Sequence, residues 1–251
     1  MVIWALFDSE TATVAKALPE HEVHSFGIGS GTEHIHLDLS DFETAVKELE
    51  KYPKPDAIFA SPPCESWVDL SKGHLPKYTN EAGFNLHWKN KWTAFDFLPK
   101  FKETRINGCR TAEITATIIQ HFKPDFWAIE NGRKSIIFDY MREFANLKGI
   151  KNFCNYFSYG FDVLKNTIIY SNALLLLKKE NPNRIMPRNV RNMPSSLRLI
   201  ARKKDSLKNG RVTIDGYTER SKVPPLLYKD IMRQFQHGGQ KTLFPMEEIY
   251  G

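Results

Sequence analysis

Short apolar runs alternate with helical segments along the chain, and this alternation limits its fold more than any other feature of the sequence. The predicted strands are Val2–Phe7, Glu22–Phe26, His34–Leu37, Ala57–Ala60, Phe126–Ile129, Asn152–Ser158 and Asn166–Tyr170. The predicted helices are Ala12–Leu18, Phe42–Lys51, Thr111–Phe122, a helix that ends near Leu147, and Leu226–Gln236. Strands and helices that alternate at this spacing are typical of β-α-β units and a mainly parallel sheet. We therefore expect an α/β fold.

One of these strands, Ala57–Ala60, stops at the sequence Ser61-Pro62-Pro63-Cys64. Two successive prolines supply no backbone N–H group, so neither a central strand nor a helix interior continues through them. A stiff loop therefore presents Cys64 at the carboxyl end of a buried strand, which is the edge of an open α/β sheet where ligands bind. The alternative is a turn that contains a small buried thiol, because many cysteines are only core residues.

A second polar group follows another strand, where Phe126–Ile129 leads into Glu130 and Asn131. A thiol on a rigid loop acts as a nucleophile when its pKa is lowered, and a carboxyl group can protonate or hydrogen-bond a heterocycle. Cys64 and Glu130 at one sheet edge, together with the basic segment of residues 178–211, therefore predict covalent chemistry on a nucleic-acid base. Between them, Glu65–Gly108 shows little periodicity, and so long a connection is typical of a lid or a binding loop.

Cysteine content and hydropathy indicate where such a chain works. Its three cysteines, Cys64, Cys109 and Cys154, offer neither a disulfide framework nor a CxxC metal pair. This usage fits a reducing cytoplasm, and we expect no metal site. No apolar run approaches the length that spans a membrane, and the first residues lack the pattern of a signal peptide, so we expect no membrane partner.

The positive charge of the chain is concentrated in residues 178–211. This segment holds eleven basic and two acidic residues, an excess of nine positive charges, whereas the whole chain carries a net charge of +6. A charge run is often only a solvated surface. Confinement of the entire excess to one segment nevertheless favours contact with the phosphates of a nucleic acid.

Several stretches resemble the motifs of the DNA cytosine-5 methyltransferases, especially the compact type found in phage genomes. Ala60–Ser66 resembles the family's nucleophile loop, and Trp127–Asn131 resembles its Glu-Asn motif. The stretches that resemble its later strand pair are Tyr159–Phe161, Lys165–Thr167 and Ser171–Asn172. Arg220–Leu227 resembles its closing motif. The matches occur in family order and extend over most of the chain.

The resemblance implies a reaction and a set of catalytic residues. Cys64 would add to C6 of a flipped cytosine while Glu130, with Asn131 beside it, contacts the N3 and N4 edge of the base. C5 would then take a methyl group from S-adenosylmethionine. Lys165 and Thr167 would hold the base or Glu130. Flipping is required because the stacked duplex hides the base from the enzyme.

The resemblance also implies a domain organisation and a partner. Residues 1–172 would form a Rossmann-like class I methyltransferase sheet, 173–214 a small basic target-recognition region, and 215–251 a returning helix with a tail. The partner would be double-stranded DNA, the protein a monomer, and its location the cytoplasm of a bacterial or phage-infected cell. The residues expected to contact DNA are Ser66, Arg184, Arg188, Arg191, Arg198, Arg202, Lys203 and Lys204.

The cofactor motif departs from the family pattern. The residues expected around S-adenosylmethionine are Phe7, Ser9, Thr11, Asp38 and Pro62. The family has glycines where this chain has Ser9 and Thr11, and side chains in such a turn are costly if φ must be positive. The acid that ends the family's second strand is replaced by Gly27 or Ile28. Weak cofactor binding, a modified cofactor and no cofactor are all compatible with these changes.

Three other functions remain open at this point. A DNA-binding relative with a decayed cofactor pocket would not need both Cys64 and Glu130, which argues against it. An amino-methyltransferase would carry an aromatic residue where this chain has Cys64. A cytosine-modifying enzyme with a different one-carbon donor would keep the same cysteine chemistry.

Overall fold

The computed structural model describes residues 1–8, 12–28, 35–64, 66–67, 99–161, 165–179, 207–208, 211–212 and 223–237. The strands are β1 (Val2–Leu6), β2 (Glu22–Gly27), β3 (Ile35–His36), β4 (Ala57–Ala60), β5 (Phe126–Gly132), β6 (Ile150–Asn155), β7 (Asn166–Ser171), β8 (Leu207–Lys208) and β9 (Arg211–Val212). The helices are α1 (Thr13–Ala17), α2 (Phe42–Leu49), α3 (Pro99–Phe122), α4 (Ile137–Phe144) and α5 (Pro225–Gln236). None of the helices in this part of the chain is long and apolar enough to cross a membrane.

Seven strands form one sheet in the order β3-β2-β1-β4-β5-β7-β6. The strands from β3 to β5 pair in parallel, whereas β7 runs antiparallel to both of its neighbours. This is the order of the Rossmann-like class I methyltransferase sheet, so the predicted fold class is confirmed. The strand order reverses between β1 and β4, and ligands of open α/β sheets bind at the carboxyl ends of strands at such a point.

Alternate residues of the central strands face two separate hydrophobic clusters. Trp4, Ile58 and Trp127 pack with α2, α3 and α4 on one face. Their neighbours Ile3 and Phe59 pack with α1 and α5 on the other face. A strand points successive side chains to opposite faces, so burial on both sides explains why these strands are almost wholly apolar.

The edge strand β6 is covered by the chain that follows β7. Leu175 N donates to Asn152 Oδ1 at 2.8 Å, and Asn155 N donates to the carbonyl of Lys178 at 3.2 Å. Leu175 and Leu177 are buried in the same cluster as α5. A covered edge offers no row of unpaired backbone groups to another chain.

The structure corrects the predicted start of the helix before β5. The sequence predicted a connection that lasts to Gly108 and a helix from Thr111, but α3 already begins at Pro99. Proline is favourable in the first turn of a helix because its missing N–H has no partner there. In the sequence, apolar periodicity begins only near Thr111, so the polar first half of α3 gave no helical signal.

Two further predicted boundaries were wrong. The strand expected at Phe126–Ile129 continues to Gly132, because its last three residues pair with β7 beyond the end of β4. The strand expected to reach Ser158 ends at Asn155, and Tyr156–Tyr159 form a 3₁₀ turn. The Asn155 side chain accepts a hydrogen bond from Phe157 N at 3.0 Å and so caps this turn.

Within the basic segment, β8 and β9 form an antiparallel pair in which Leu207 lies opposite Val212. This pair was not predicted. Residues 180–206, 209–210 and 213–222 lie outside the described part of the chain, so the predicted recognition region stays a prediction.

Candidate active site

The loop that carries Cys64 is fastened to the strand that carries Glu130. Asn131 Nδ2 donates a hydrogen bond of 3.1 Å to the carbonyl of Pro62, and Asn131 is only 1% exposed. Trp67 N donates to the carbonyl of Cys64 at 3.0 Å, which closes a turn that begins at Cys64. The structure therefore brings the predicted nucleophile loop and the Glu-Asn motif to one edge of the sheet.

The far end of the same loop is anchored on α3 and α4. Ile136 N, just before α4, donates to the carbonyl of Trp67 at 3.2 Å, and the Trp67 ring lies 5.0 Å from that of Tyr140. Ser66 is only 4% exposed, and a Cβ added at Gly108 would overlap its hydroxyl oxygen. Ser66 was predicted to contact DNA. Because it is buried here, such a contact would require the loop to move.

Glu130 lies past the last residue of β4 that pairs with β5, and two donors meet one of its oxygens. Tyr156 Oη donates to Glu130 Oε1 at 2.6 Å, and Lys165 Nζ lies 3.5 Å from the same oxygen. The Lys165 ammonium is also 4.6 Å from the centre of the Tyr156 ring. The predicted pair of Glu130 and Lys165 is therefore adjacent, and Tyr156 joins it without having been predicted.

Thr167, the other residue predicted to hold the base, lies on β7. It is fully buried, opposite Gly132 of β5 and Cys154 of β6. Its hydroxyl lies 3.5 Å from the carbonyl of Lys165, the outer limit of a hydrogen bond. Thr167 is thus the second residue of β7 and lies two positions after Lys165 in the chain.

Two thiols are candidates for the nucleophile, Cys64 on its loop and Cys154 on β6, and their surroundings differ. Cys154 is buried, and its burial, together with the charge of Glu130, raises its pKa to about 12. A thiol with so high a pKa is protonated near neutral pH and is a poor nucleophile. Cys64 is half-buried on its loop. Cys64 is therefore the better candidate nucleophile.

Tyr228 of α5 interacts with Asp8 after β1, Ser61 after β4 and Glu130 of β5. Burial raises its pKa well above the usual value, and the charges of Asp8 and Glu130 raise it further. A hydrogen bond with Ser61 opposes this shift. The sequence pattern placed Tyr228 on a helix, but periodicity does not show which polar groups a buried tyrosine meets.

The corner expected to bind the cofactor has an unusual backbone. Phe7 and Ala12 adopt φ angles of 56° and 46°, in the left-handed region that favours glycine. Asp8 Oδ2 accepts hydrogen bonds from Ser25 Oγ at 2.8 Å and from Val14 N at 3.2 Å. Asp8 therefore joins β2 to the first turn of α1.

The residues at this corner suit S-adenosylmethionine in part. Phe7 follows β1, and Ile28, which is 70% exposed, follows β2, so apolar surface is present for an adenine ring. Asp38 follows β3, where its Oδ1 accepts from Ser40 N at 2.8 Å. Gly27 ends β2 with no side chain, so no carboxylate stands there to bind ribose hydroxyls. The described residues fit the base of the cofactor and leave its ribose without this contact.

The remaining predicted site residues lie outside the described part of the chain. They are the cofactor residues Ser9 and Thr11 and the DNA residues Arg184, Arg188, Arg191, Arg198, Arg202, Lys203 and Lys204. Their roles stay predictions.

No protein-family model matches the sequence, and no curated protein matches it. One similar solved structure is a protein assigned as a DNA modification methyltransferase encoded within a prophage of E. coli. It has 15% identity and a TM-score of 0.39, over 68% of this chain and 46% of the other. A methyltransferase of Entamoeba histolytica aligns with 14% identity and a TM-score of 0.47, over 78% of this chain and 64% of its own. The chain thus spans less than two thirds of either protein, and similarities of this strength carry no argument about function.

Proposed function

We propose that this chain is a DNA cytosine-5 methyltransferase, which transfers a methyl group from S-adenosylmethionine to C5 of a flipped cytosine. The buried hydrogen bond from Asn131 to the carbonyl of Pro62 carries the proposal, because it ties the loop of Cys64 to the strand of Glu130. A thiol and a carboxyl group at adjoining strand ends suit a nucleophile and a base contact on one pyrimidine.

In the proposed reaction Cys64 is the nucleophile. Its thiolate adds to C6 of the cytosine, so that an S–C6 bond forms and the electron pair of the C5–C6 double bond moves to C5. After C5 has gained the methyl group, a water molecule accepts the proton that C5 loses. The electron pair of the broken C5–H bond then restores the double bond as the S–C6 bond breaks and releases Cys64.

Glu130 and Lys165 recognise the base in this reaction. Glu130 contacts the N3 and N4 edge of the cytosine, and Lys165, 3.5 Å from Glu130 Oε1, holds Glu130 or donates to the base. Thr167 supports this part of β7. These contacts need the cytosine to leave the stack, because pairing occupies its N3 and N4 edge in the duplex.

S-adenosylmethionine, when bound, supplies the methyl group that C5 accepts. Phe7, Ile28, Asp38 and Pro62 would hold it, together with Ser9 and Thr11. Each missing hydrogen bond to a buried polar group costs about 1–3 kcal/mol, so we expect binding weakened by about tenfold or more per lost contact. DNA that closes the site over the cofactor should tighten it.

The test is covalent capture. A random-sequence duplex pool in which 5-fluorocytosine replaces every cytosine removes the need to know the target site. With S-adenosylmethionine, the protein should form an adduct that survives denaturation, because fluorine cannot leave C5 as a proton. Cys64→Ser should abolish the adduct and leave DNA affinity largely intact. Cys109→Ser, which alters another half-buried cysteine, is the matched control and should retain it.

An adduct that persists in Cys64→Ser would place the nucleophile elsewhere and refute the assignment. A second candidate function, a DNA-binding relative without transferase activity, is favoured by one observation, the missing carboxylate after β2. It predicts salt-dependent DNA binding with no adduct and no affinity for S-adenosylmethionine even in the presence of DNA.

A further inference from the structure

The contacts of Glu130 are unequally shared between its two carboxyl oxygens. Tyr156 Oη donates to Oε1 at 2.6 Å, and Lys165 Nζ lies 3.5 Å from the same atom. The Glu130 side chain is 12% exposed, whereas Tyr156 is fully buried. Among the described residues, these contacts hold Oε1 against the protein, so that Oε2 is the oxygen available to a bound base.

Tyr156 is itself held rigidly. It is the first residue of the 3₁₀ turn, which Asn155 caps and which ends at Gly160 with a φ of 89°. The Lys165 ammonium lies over its ring, and the rings of Tyr156 and Phe161 meet edge to face with their centres 5.8 Å apart. A donor with so few available positions fixes the rotamer of its acceptor, because carboxylate hydrogen bonds are directional.

Tyr156 also remains a donor at working pH. Burial raises its pKa well above the usual value, and the charge and the hydrogen bond of Glu130 add to this effect. A neutral phenol donates one hydrogen. That hydrogen is committed to Oε1, and the lone pairs of Oε2 can accept a hydrogen bond from a bound base. The exocyclic amino group of cytosine is a donor that such an acceptor recognises.

We propose that Tyr156 is a positioning residue that fixes Glu130 so that Oε2 meets the amino group at C4 of the flipped base. This role rests on the proposed function and makes Tyr156 a determinant of specificity for amino-bearing pyrimidines. Tyr156 acts through Glu130 and does not itself touch the base. Its effect is therefore tied to one chemical group of the substrate, which a purely structural tyrosine would not sense.

The chain offers a matched control in the same 3₁₀ turn. Tyr159 is also buried, and its hydroxyl donates to a carboxylate, Asp230 Oδ2, at 2.8 Å. Tyr156→Phe and Tyr159→Phe each remove one oxygen from a buried tyrosine next to an acid. They differ in which acid loses its donor.

The experiment measures the rate of adduct formation on two duplex pools. One carries 5-fluorocytosine, and the other carries 5-fluoropyrimidin-2-one, which lacks the amino group. Relative to the unmodified protein, Tyr156→Phe should slow the adduct about 10- to 100-fold on the first pool, the effect of losing one buried hydrogen bond. On the second pool the loss should be within about threefold. Tyr159→Phe should give the same ratio on both pools.

Equal losses on both pools for Tyr156→Phe would overturn the positioning role, as would no loss on either pool. If the unmodified protein forms no adduct with either pool, the proposed function fails and the role of Tyr156 fails with it. If Tyr156→Phe does not fold, Phe161→Leu removes the ring that packs against Tyr156 and loosens Tyr156 without a change at the base. It should then show the same dependence on the amino group, and equal losses there would also overturn the proposal.

Discussion

At the scale of the residue, the amide of Asn131 has the largest consequence for the site. Its Nδ2 group reaches the carbonyl of Pro62, and its Oδ1 accepts from Gly132 N at 3.0 Å. One buried side chain therefore fixes the end of β5 and the start of the cysteine loop together. A buried amide in this position stabilises the fold and sets the place of the thiol at once.

Asn131→Ala should lower the free energy of unfolding by about 1–3 kcal/mol, because it leaves the Pro62 carbonyl and Gly132 N without their partner. It should also slow adduct formation by Cys64, since the loop is no longer tied to the strand of Glu130. Urea denaturation measures the first effect, and the fluorocytosine assay measures the second.

Asn172→Ala is the control for this prediction. Asn172 is also buried, and it bridges Trp127 N and the carbonyl of Asp125 near the start of β5. Its loss should cost similar stability and leave the adduct rate nearly unchanged. Equal slowing by both variants would mean that Asn131 matters only for folding.

The sequence indicated Cys64, Glu130 and Lys165 but gave no sign of Tyr156 or Tyr228. Strand ends and prolines are local features, so a thiol on a stiff loop can be predicted from neighbouring residues. The bond between Tyr156 and Glu130 joins positions 26 apart in the chain. It also depends on a 3₁₀ turn where alternation predicted a strand, and no periodicity specifies such a pair.

At the scale of the element, the close approach of α3 to the loop that carries Cys64 determines which residue fits at position 108. Gly108 lies where a Cβ would overlap the Ser66 hydroxyl and come within 3.2 Å of Trp67 Nε1. The Asn-Gly pair at 107–108 resembles a turn in sequence, yet it lies inside α3. Glycine is needed here for space, at a cost in helix propensity.

Gly108→Ala should therefore change the stability of the protein in the direction opposite to that expected from helix propensity. Propensity alone would stabilise α3 by about 1 kcal/mol. We expect lower stability and a slower Cys64 adduct, because Ser66 and Trp67 must move. Thermal unfolding and the adduct rate check both effects. Asn107→Ala, at an exposed neighbouring position, is the control and should leave the adduct rate unchanged. If Gly108→Ala is more stable and forms the Cys64 adduct at the unmodified rate, the loop can move away from α3 at little cost.

Helix α5 is docked through a carboxylate that titrates in acid. Burial of Asp230 opposes its ionisation, but hydrogen bonds from Arg233, Tyr159 and Gln234 outweigh burial and lower its pKa below the usual 3.8. A carboxylate with a lowered pKa in the folded state stabilises the protein above its unfolded pKa, and this stability is lost as pH falls through the folded value.

The stability difference between the unmodified protein and Asp230→Asn should thus be constant above about pH 5 and shrink as pH falls below about 4. Tyr159→Phe removes one of the stabilising donors and brings the folded pKa of Asp230 closer to its unfolded value, so its stability should fall by less over the same pH range. Urea denaturation across this pH range measures both curves. A difference that stays constant down to pH 2 would contradict the assignment of Asp230.

The elements themselves were predicted where burial on two faces makes the sequence continuously apolar, as in β1, β4 and the first residues of β5. The start of α3 was missed because the sequence of its first half shows no apolar periodicity. The end of β5 was missed because pairing with β7, which is distant in sequence, extends it. Local pattern thus predicts the packed parts of elements better than their ends.

At the scale of the whole molecule, charge separates the chain into two parts. The net charge is +6, yet residues 178–211 alone carry an excess of nine positive charges. The remainder is therefore slightly acidic. A polyanion would be drawn to one segment of the chain, and its affinity should then depend on salt through the charges of that segment.

Replacing Arg198, Arg202, Lys203 and Lys204 by glutamine should weaken binding to all DNA sequences about equally. If each contacts one phosphate, the slope of log affinity against log salt should become less negative by about 3 to 4, since each phosphate contributes roughly 0.9. Fluorescence anisotropy with a labelled duplex between 50 and 300 mM salt measures the slope.

The control replaces four exposed lysines that lie before β4, β5 and β6, at the sheet edge opposite Cys64, and removes the same total charge. These lysines are Lys51, Lys54, Lys123 and Lys148. Equal slopes for the two variants would show that net charge alone draws the DNA, because phosphate contacts confined to residues 178–211 require the first variant to lose far more of its salt dependence.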